Sequence, residues 1–262
     1  MSALESLILG IIQGLTEFLP VSSSGHLELA KAIFGYDYVQ KQSLLITLNL
    51  HAATAMSTVF VFRKDIWLIF SDVFSFRKSE GLDFFMKILI SMIPAILIGL
   101  FFENFISSLF DGKVLLVGIM LTITAILLYL ADQINENNNS IGFKNAFLIG
   151  LMQAVAIIPG VSRSGATIAL AMFLKINRDK AARFSFLMVI PLIFGSMAKS
   201  LLEGNLFVES LNIMPLIIGF LSAFITGIFA CKWMVSLVKK SQLKYFSFYC
   251  MIIGLISITY SL

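Results

Sequence analysis

Two short stretches of the chain gather residue types that do chemistry together. The first runs Gln13-Gly14-Leu15-Thr16-Glu17-Phe18-Leu19-Pro20-Val21-Ser22-Ser23-Ser24-Gly25-His26, and the second Pro159-Gly160-Val161-Ser162-Arg163-Ser164-Gly165-Ala166-Thr167. Gln13 and Glu17 are four apart, so they share one face of a helix. A carboxylate and an amide oxygen are hard ligands that suit Mg²⁺ or Ca²⁺, with water or phosphate oxygens completing the shell. Gln13 alone reads better as a residue that joins two helices. Ser22, Ser23 and Ser24 each suit a helix N-cap. As a set beside His26, with Glu17 upstream, they also offer a nucleophile and a proton carrier. Ser23 is the candidate nucleophile; attack by water, with Ser23 as a donor, is the alternative.

Arg163 supplies the opposite sign. At membrane depth an arginine costs from about 2.5 to more than 10 kcal/mol, so something must compensate it. One reading is a structural ion pair with Glu17. The other is an anion clamp, because the guanidinium's planar fork suits phosphate oxygens. Helix N-termini expected after Gly25 and after Gly165 would add free N–H groups that favour anions. Ser162, Ser164 and Thr167 add hydroxyls from the second stretch, and Ser22 and Ser24 from the first. His51 lies in a separate apolar segment, has no acidic or thiol neighbour in its heptad, and reads as structural.

The elements that position these groups are apolar almost throughout. The chain has 262 residues, 58% of them hydrophobic and 13% charged, and its mean hydropathy is +0.94. A soluble domain carries about 25% charged residues; here lipid must supply the outer solvent. Six runs are expected to span: Leu44–Phe62, Phe84–Phe102, Val114–Ala131, Phe184–Ala198, Ile213–Cys231 and Phe246–Tyr260. About 19 helical residues cover ~28 Å, close to a ~30 Å hydrocarbon core. The opening run has an acidic start, Met1 to Glu5, and no basic n-region, so it reads as retained rather than as a signal peptide. Cys231 and Cys250 lie in apolar runs and read as packing residues. The basic residues are parcelled out between apolar runs, which argues against a nucleic-acid partner.

The two functional stretches sit in the middle of the segments 4–35 and 145–174, which are apolar at both ends. A lipid-facing loop at that depth would leave backbone groups unpaired at several kcal/mol each. Both segments are therefore expected to be re-entrant helix hairpins with protein-covered tips. They also resemble each other. Gly10-x-x-Gln13 recurs as Gly150-x-x-Gln153, and Val21-Ser22-Ser23-Ser24-Gly25 as Val161-Ser162-Arg163-Ser164-Gly165, always in one register. Each hairpin precedes three spans, so the second copy must be upside down. The expected fold is an all-α polytopic membrane domain over 1–262, an inverted-topology repeat of units 1–131 and 145–262. At equivalent positions Glu17 faces Ile157, Ser23 faces Arg163 and His26 faces Ala166. The scaffold is duplicated and the chemistry is not.

Loop charges orient the chain. With alternate loops cytoplasmic from Arg63 onward, that side holds Arg63, Lys64, Arg77, Lys78, Lys87, Lys144, Lys175, Arg178, Lys180, Arg183, Lys232, Lys239, Lys240 and Lys244. The other side holds only Lys31, Lys41, Lys113 and Lys199. The positive-inside rule then puts both termini outside, and the hairpin tips should meet near the midplane.

The stretches Gln13 to His26 and Pro159 to Thr167 resemble the two signature motifs of the bacterial undecaprenyl-diphosphate phosphatases, also called bacitracin-resistance proteins. The family's first motif is Glu or Gln, three residues, then Glu, which Gln13 and Glu17 satisfy. Its second, Pro-Gly-x-Ser-Arg-Ser-x-x-Thr, is matched without a gap by Pro159 to Thr167. The resemblance covers nearly the whole chain. One departure is Asn49 and His51, in a span where Gln and Gly are expected. The resemblance implies removal of the terminal phosphate of undecaprenyl diphosphate, a divalent-cation requirement, and a bacterial plasma-membrane location with the site open to the outer face. It implies a polyprenyl diphosphate and membrane lipid as partners, and leaves room for a homodimer. A lipid-phosphate flippase would use a similar plan of broken helices. The two-histidine phosphatidic acid phosphatases fit less well, because only His26 is placed to serve.

Overall fold

The computed structural model describes residues 2–34, 40–75, 79–110, 112–135, 139–202, 213–240 and 242–261, with the backbone alone for 34 and 40–44. Gly35, the expected end of the first hairpin, lies outside them. The described residues form twelve helices: α1 (Ala3–Thr16), α2 (Ser23–Phe34), α3 (Gln40–Val61), α4 (Arg63–Phe74), α5 (Glu80–Phe101), α6 (Glu103–Ser108), α7 (Val114–Asp132), α8 (Phe143–Val155), α9 (Arg163–Phe173), α10 (Arg178–Leu202), α11 (Ile213–Lys239) and α12 (Leu243–Ser261). Helix α1 opens on a capping box: Ser2 Oγ accepts from the Glu5 amide at 3.3 Å, and Glu5 Oε2 accepts from the Ser2 amide at 2.8 Å. Both free N–H groups are thereby partnered.

Among the described residues, five helices are long and apolar enough to cross a membrane: α5, α7, α10, α11 and α12. The sixth expected span, Leu44–Phe62, is only partly upheld. It qualifies only together with α4, and the pair is bent by 79°. The reason lies in α3 itself. Thr54, Ser57 and Thr58 are buried in the bundle, Asn49 Nδ2 donates to Leu216 O at 2.9 Å, and Ser57 Oγ donates to Phe224 O at 2.8 Å. The polar side of helix α3 faces protein, so polar residues are tolerated there.

The five spans are turned inside out relative to a soluble bundle. Ile93, Leu97 and Leu100 of α5, Ile119, Ile123 and Ile126 of α7, and Leu221, Ile225 and Phe229 of α11 are exposed, while Ser91, Thr124 and Ser222 are buried. Small residues line the contacts because lipid tails offer no hydrophobic drive to association, so backbones must approach closely. A Cβ on Gly10 of α1 would lie 2.5 Å from Gly219 O of α11, and one on Gly118 of α7 would lie 2.8 Å from Gly254 O of α12. A Cβ on Gly150 of α8 would lie 2.2 Å from Ser91 O of α5. Helix α1 thus packs on α11 as α8 packs on α5.

Charges gather at the two ends of the spans. Arg178 pairs with Asp132 (3.7 Å), Arg183 with Asp65 (2.7 Å) and Lys239 with Asp179 (2.9 Å) at one end; Lys199 pairs with Glu103 at the other.

These packing distances predict opposite outcomes for two alanines. Gly150→Ala forces α8 off α5 and should lower stability by about 1–3 kcal/mol. Gly99→Ala meets nothing within 4 Å and should be neutral or stabilising by up to about 1 kcal/mol through helix propensity. Thermal unfolding in detergent reads the difference, and equal shifts for the two variants would contradict the packing described.

Candidate active site

The polar stretches form the breaks between α1 and α2 and between α8 and α9. Ser22 adopts φ 70° and Gly160 φ 96°, which turns the chain sharply at each tip. Ser22 Oγ accepts from the Gly25 amide at 3.2 Å, and Ser162 Oγ accepts from the Gly165 amide at 3.1 Å. The helices therefore begin two residues before the glycines, at Ser23 and at Arg163, and not after Gly25 and Gly165 as the sequence suggested. A cap serine bonds the third helical amide, so each glycine is the third residue of its helix. The tips touch. A Cβ on Gly25 would come within 3.1 Å of Gly160 Cα, and one on Gly165 within 2.9 Å of Pro20 Cβ.

That contact brings Glu17, Ser23 and Arg163 together. Arg163 Nη2 donates to Glu17 Oε1 at 2.6 Å, and Arg163 Nη1 to Ser185 O of α10 at 3.1 Å. Ser23 Oγ donates to Glu17 Oε2 at 2.7 Å, and Gln13 Nε2 to the same oxygen at 3.1 Å. Only 8% of the Glu17 side chain and 14% of Arg163's is exposed. The opening around them is a cavity of about 690 Å³ whose lining includes Glu17, Ser23, Ser24, His51, Ser162 and Arg163. Glu28, Lys31, Ile106, Ser107 and Phe110 extend it towards the end of the bundle that carries Glu103 and Lys199. A serine hydroxyl bonded to a carboxylate, beside a guanidinium with donors to spare, is suited to nucleophilic attack on a phosphoryl group.

The model of the bacitracin resistance protein BacA family matches residues 6–256. The chain belongs to this family. It is 52% identical over 261 residues to the undecaprenyl-diphosphatase of Christiangramia forsetii, covering 100% of this chain and 99% of that one. It is 44% identical over 263 residues to the undecaprenyl-diphosphatase of Bacteroides fragilis, covering 98% and 97%. A relative of the same name from Methanococcus vannielii is 37% identical over 260 residues, covering 98% and 100%.

Within this BacA-family chain the remaining expected site residues fall into two groups. Ser24 and Ser162 join Glu17, Ser23 and Arg163 on the cavity wall. Ser22, Ser164, Thr167 and His26 are not on that wall. Ser22 is the α2 cap, Ser164 Oγ lies 3.5 Å from Leu19 O, and Thr167 Oγ1 sits 2.8 Å from Arg163 O and 2.7 Å from Ser185 Oγ. Their hydroxyls are spent on holding the tips. His26 donates through Nδ1 to Ser22 O at 2.8 Å and accepts the Tyr249 hydroxyl at Nε2, also at 2.8 Å, with the rings stacked. His51, expected to be structural, instead reaches into the cavity, with Nε2 3.8 Å from Glu17 Oε2. Its heptad gave no sign of this because its acidic partner comes from another helix.

The family resemblance calls for a divalent ion, and the donor set can be tested. Among the described residues no three His, Cys, Asp or Glu side chains form a metal cluster. The buried Gln13 Oε1 nevertheless has no hydrogen-bond partner and belongs to an amide already in contact with Glu17. One carboxylate and one orphaned amide oxygen suit a hard cation that takes its other ligands from water and phosphate. The residues fit the ion to that extent.

Arg163 is expected to fail gracefully in no variant. Arg163→Ala should cut turnover by on the order of 10²–10³-fold, the loss typical of removing one transition-state donor. It also leaves Glu17 buried without its partner, destabilising the fold by about 3–5 kcal/mol. The double variant Arg163→Ala/Glu17→Gln should recover stability but no activity. Arg163→Lys should recover little activity, since an ammonium lacks the fork. Turnover near the unaltered rate in Arg163→Ala would remove it from the site.

Proposed function

We propose that the chain is a multi-pass membrane phosphatase that hydrolyses undecaprenyl diphosphate to undecaprenyl phosphate and inorganic phosphate, recycling the lipid carrier for cell-wall synthesis and so conferring bacitracin resistance. The observation that carries this is the Ser23–Glu17–Arg163 constellation on two touching hairpin tips inside a cavity, in a chain whose relatives bear the name undecaprenyl-diphosphatase. Ser23 Oγ attacks the terminal phosphorus, its proton passes to Glu17, and the P–O bond to the departing undecaprenyl phosphate breaks. Water then attacks the phosphoserine, returning Ser23 and releasing phosphate. Arg163 holds the charge on the phosphoryl oxygens throughout, and the α2 and α9 N-termini face the same place. A divalent cation held by Glu17 and Gln13 supplies further positive charge when bound. His26 anchors α2 to α12 through Tyr249; to carry a proton for Ser23 it must first leave that bond.

The six-span arrangement with two re-entrant hairpins, inverted between units 1–131 and 145–262, is part of the same reading. It is supported by the reciprocal tip contacts, in which Gly25 and Gly160 on one side match Gly165 and Pro20 on the other. The tip carbonyls are capped in the same crossed manner: Thr124 Oγ1 of α7 donates to Gly160 O at 3.1 Å and Cys250 Sγ of α12 to Pro20 O at 3.6 Å. The termini lie outside and the site opens to the outer face, because the cavity mouth lies at the end poor in basic residues.

Two measurements test the proposed reaction. Purified protein in detergent micelles should release phosphate from undecaprenyl diphosphate; no release would return the chain to the flippase reading, since micelles permit no transport. With a chiral, isotopically labelled terminal phosphorothioate, attack by Ser23 and then water gives net retention at phosphorus. Net inversion would leave Ser23 as a phosphate donor only. Orientation is checked separately. A single cysteine at Lys113 should be labelled in intact cells by an impermeant thiol reagent, and those at Lys180 and Lys240 should be protected; the reverse pattern overturns the assignment of sides.

A further inference from the structure

We infer that His51 is a nitrogen ligand of the divalent cation, completing a Glu17–Gln13–His51 set. The inference rests on the proposal that Glu17 and Gln13 hold such an ion. The tautomer is fixed by chemistry rather than by choice. His51 Nδ1 lies 2.8 Å from Thr47 O, and a carbonyl oxygen only accepts, so Nδ1 carries the proton and donates. Nε2 is then the atom left to face Glu17 Oε2 across 3.8 Å. In this tautomer the Nε2 lone pair is free to bind a metal ion that Glu17 Oε2 also binds. Two ligands of one metal at about 2.0–2.2 Å each can stand no more than about 4.4 Å apart, so 3.8 Å lies within the span of a shared ion. An Nδ1–H bond to a backbone carbonyl is also the usual way a metal-binding imidazole is oriented and its tautomer set.

The surroundings agree. His51 and Glu17 both line the cavity, so an ion between them faces the space in which the diphosphate sits. Gln13 Nε2 touches the same Glu17 oxygen, and its buried Oε1 is without a partner. The oxygen and nitrogen of an amide are interchanged by a half-turn, so Gln13 can offer Oε1 to an ion at Glu17 without moving its backbone. His26 is excluded from the same role, because both ring nitrogens are engaged by Ser22 and Tyr249.

A nitrogen in the set changes which ion is preferred. Imidazole favours later first-row ions, whereas all-oxygen sites suit Mg²⁺ and Ca²⁺. The chain has two histidines, which makes the test clean. The full-length protein in detergent is labelled with ¹⁵N-histidine, Mn²⁺ is added, and bound Mn²⁺ is examined by electron spin echo envelope modulation. Coupling to ¹⁵N is expected in the unaltered protein and in His26→Gln, and should vanish in His51→Gln. The Mn²⁺ dissociation constant, read from the free-ion spectrum, should rise about 10- to 100-fold or more in His51→Gln, and the preference for Mn²⁺ over Ca²⁺ should shrink. Bound Mn²⁺ without nitrogen coupling, or coupling that survives in His51→Gln, overturns the inference while leaving the Glu17–Gln13 reading in place. Absence of any bound Mn²⁺ overturns both.

Discussion

A carboxylate and a guanidinium held against each other away from bulk water set the terms for the rest of this bundle. Taking either charge out of water carries an effective penalty of several kcal/mol, and their attraction offsets it only in good geometry with the remaining lone pairs satisfied. Glu17 and Arg163 meet that condition through four hydrogen bonds: from Ser23 and Gln13 to the carboxylate, from the guanidinium to Ser185 O, and between the pair itself. The geometry exists only if two broken helices end at the same point. That requires tips that touch, and a Cβ on Gly25 would come within 3.1 Å of Gly160 Cα. It also requires that the broken backbone be capped from within, which the serines at 22 and 162 do. Hairpins, glycines and caps are consequences of one buried ion pair.

The same capping scheme serves two tips that carry unlike side chains. Ser22 and Ser162 perform the same bond to Gly25 and Gly165, so the residue that follows each cap is presented in the same local frame. At one tip that residue is Ser23, at the other Arg163. Because the tips meet, two equivalent positions in sequence become neighbours in space, around Glu17. Serine at both tips would leave Glu17 without its guanidinium partner. Arginine at both would leave it without the Ser23 hydroxyl.

Much of this was legible because it depends on local rules. Cap serines, the i,i+4 relation of Gln13 to Glu17 and the apolar runs are short-range patterns, and they located the broken helices and the Glu17–Ser23–Arg163 cluster. What depended on contacts between distant helices was not legible. His26 stands three residues from Ser23 in sequence, yet Tyr249 of α12 draws its ring out of the cavity. His51 had no acidic neighbour along its own helix, and its partner comes from α1. The weak polarity of α3 read as a span, because sequence does not reveal that α11 and α10 cover it. Ser164 and Thr167 lay in the right motif and turned inward, since Leu19 and Ser185 offered better-placed partners.

The ion pair raises an apparent conflict with its proposed use, since a guanidinium already committed to Glu17 must still bind phosphate. Arginine resolves this by having more donors than it has partners here. Nη2 serves Glu17 and Nη1 serves Ser185 O, while a guanidinium carries five N–H groups in one plane. The partners fix the plane and leave other donors on its edge, so a phosphate bound as proposed would meet a pre-oriented cation. A lysine would have to choose between carboxylate and substrate, because its point charge moves towards whichever is nearer. The same reasoning applies to Glu17, whose two oxygens are divided: Oε1 neutralises and orients Arg163, and Oε2 faces Ser23, Gln13 and His51. One oxygen orients the guanidinium and the other faces the hydroxyl, amide and imidazole.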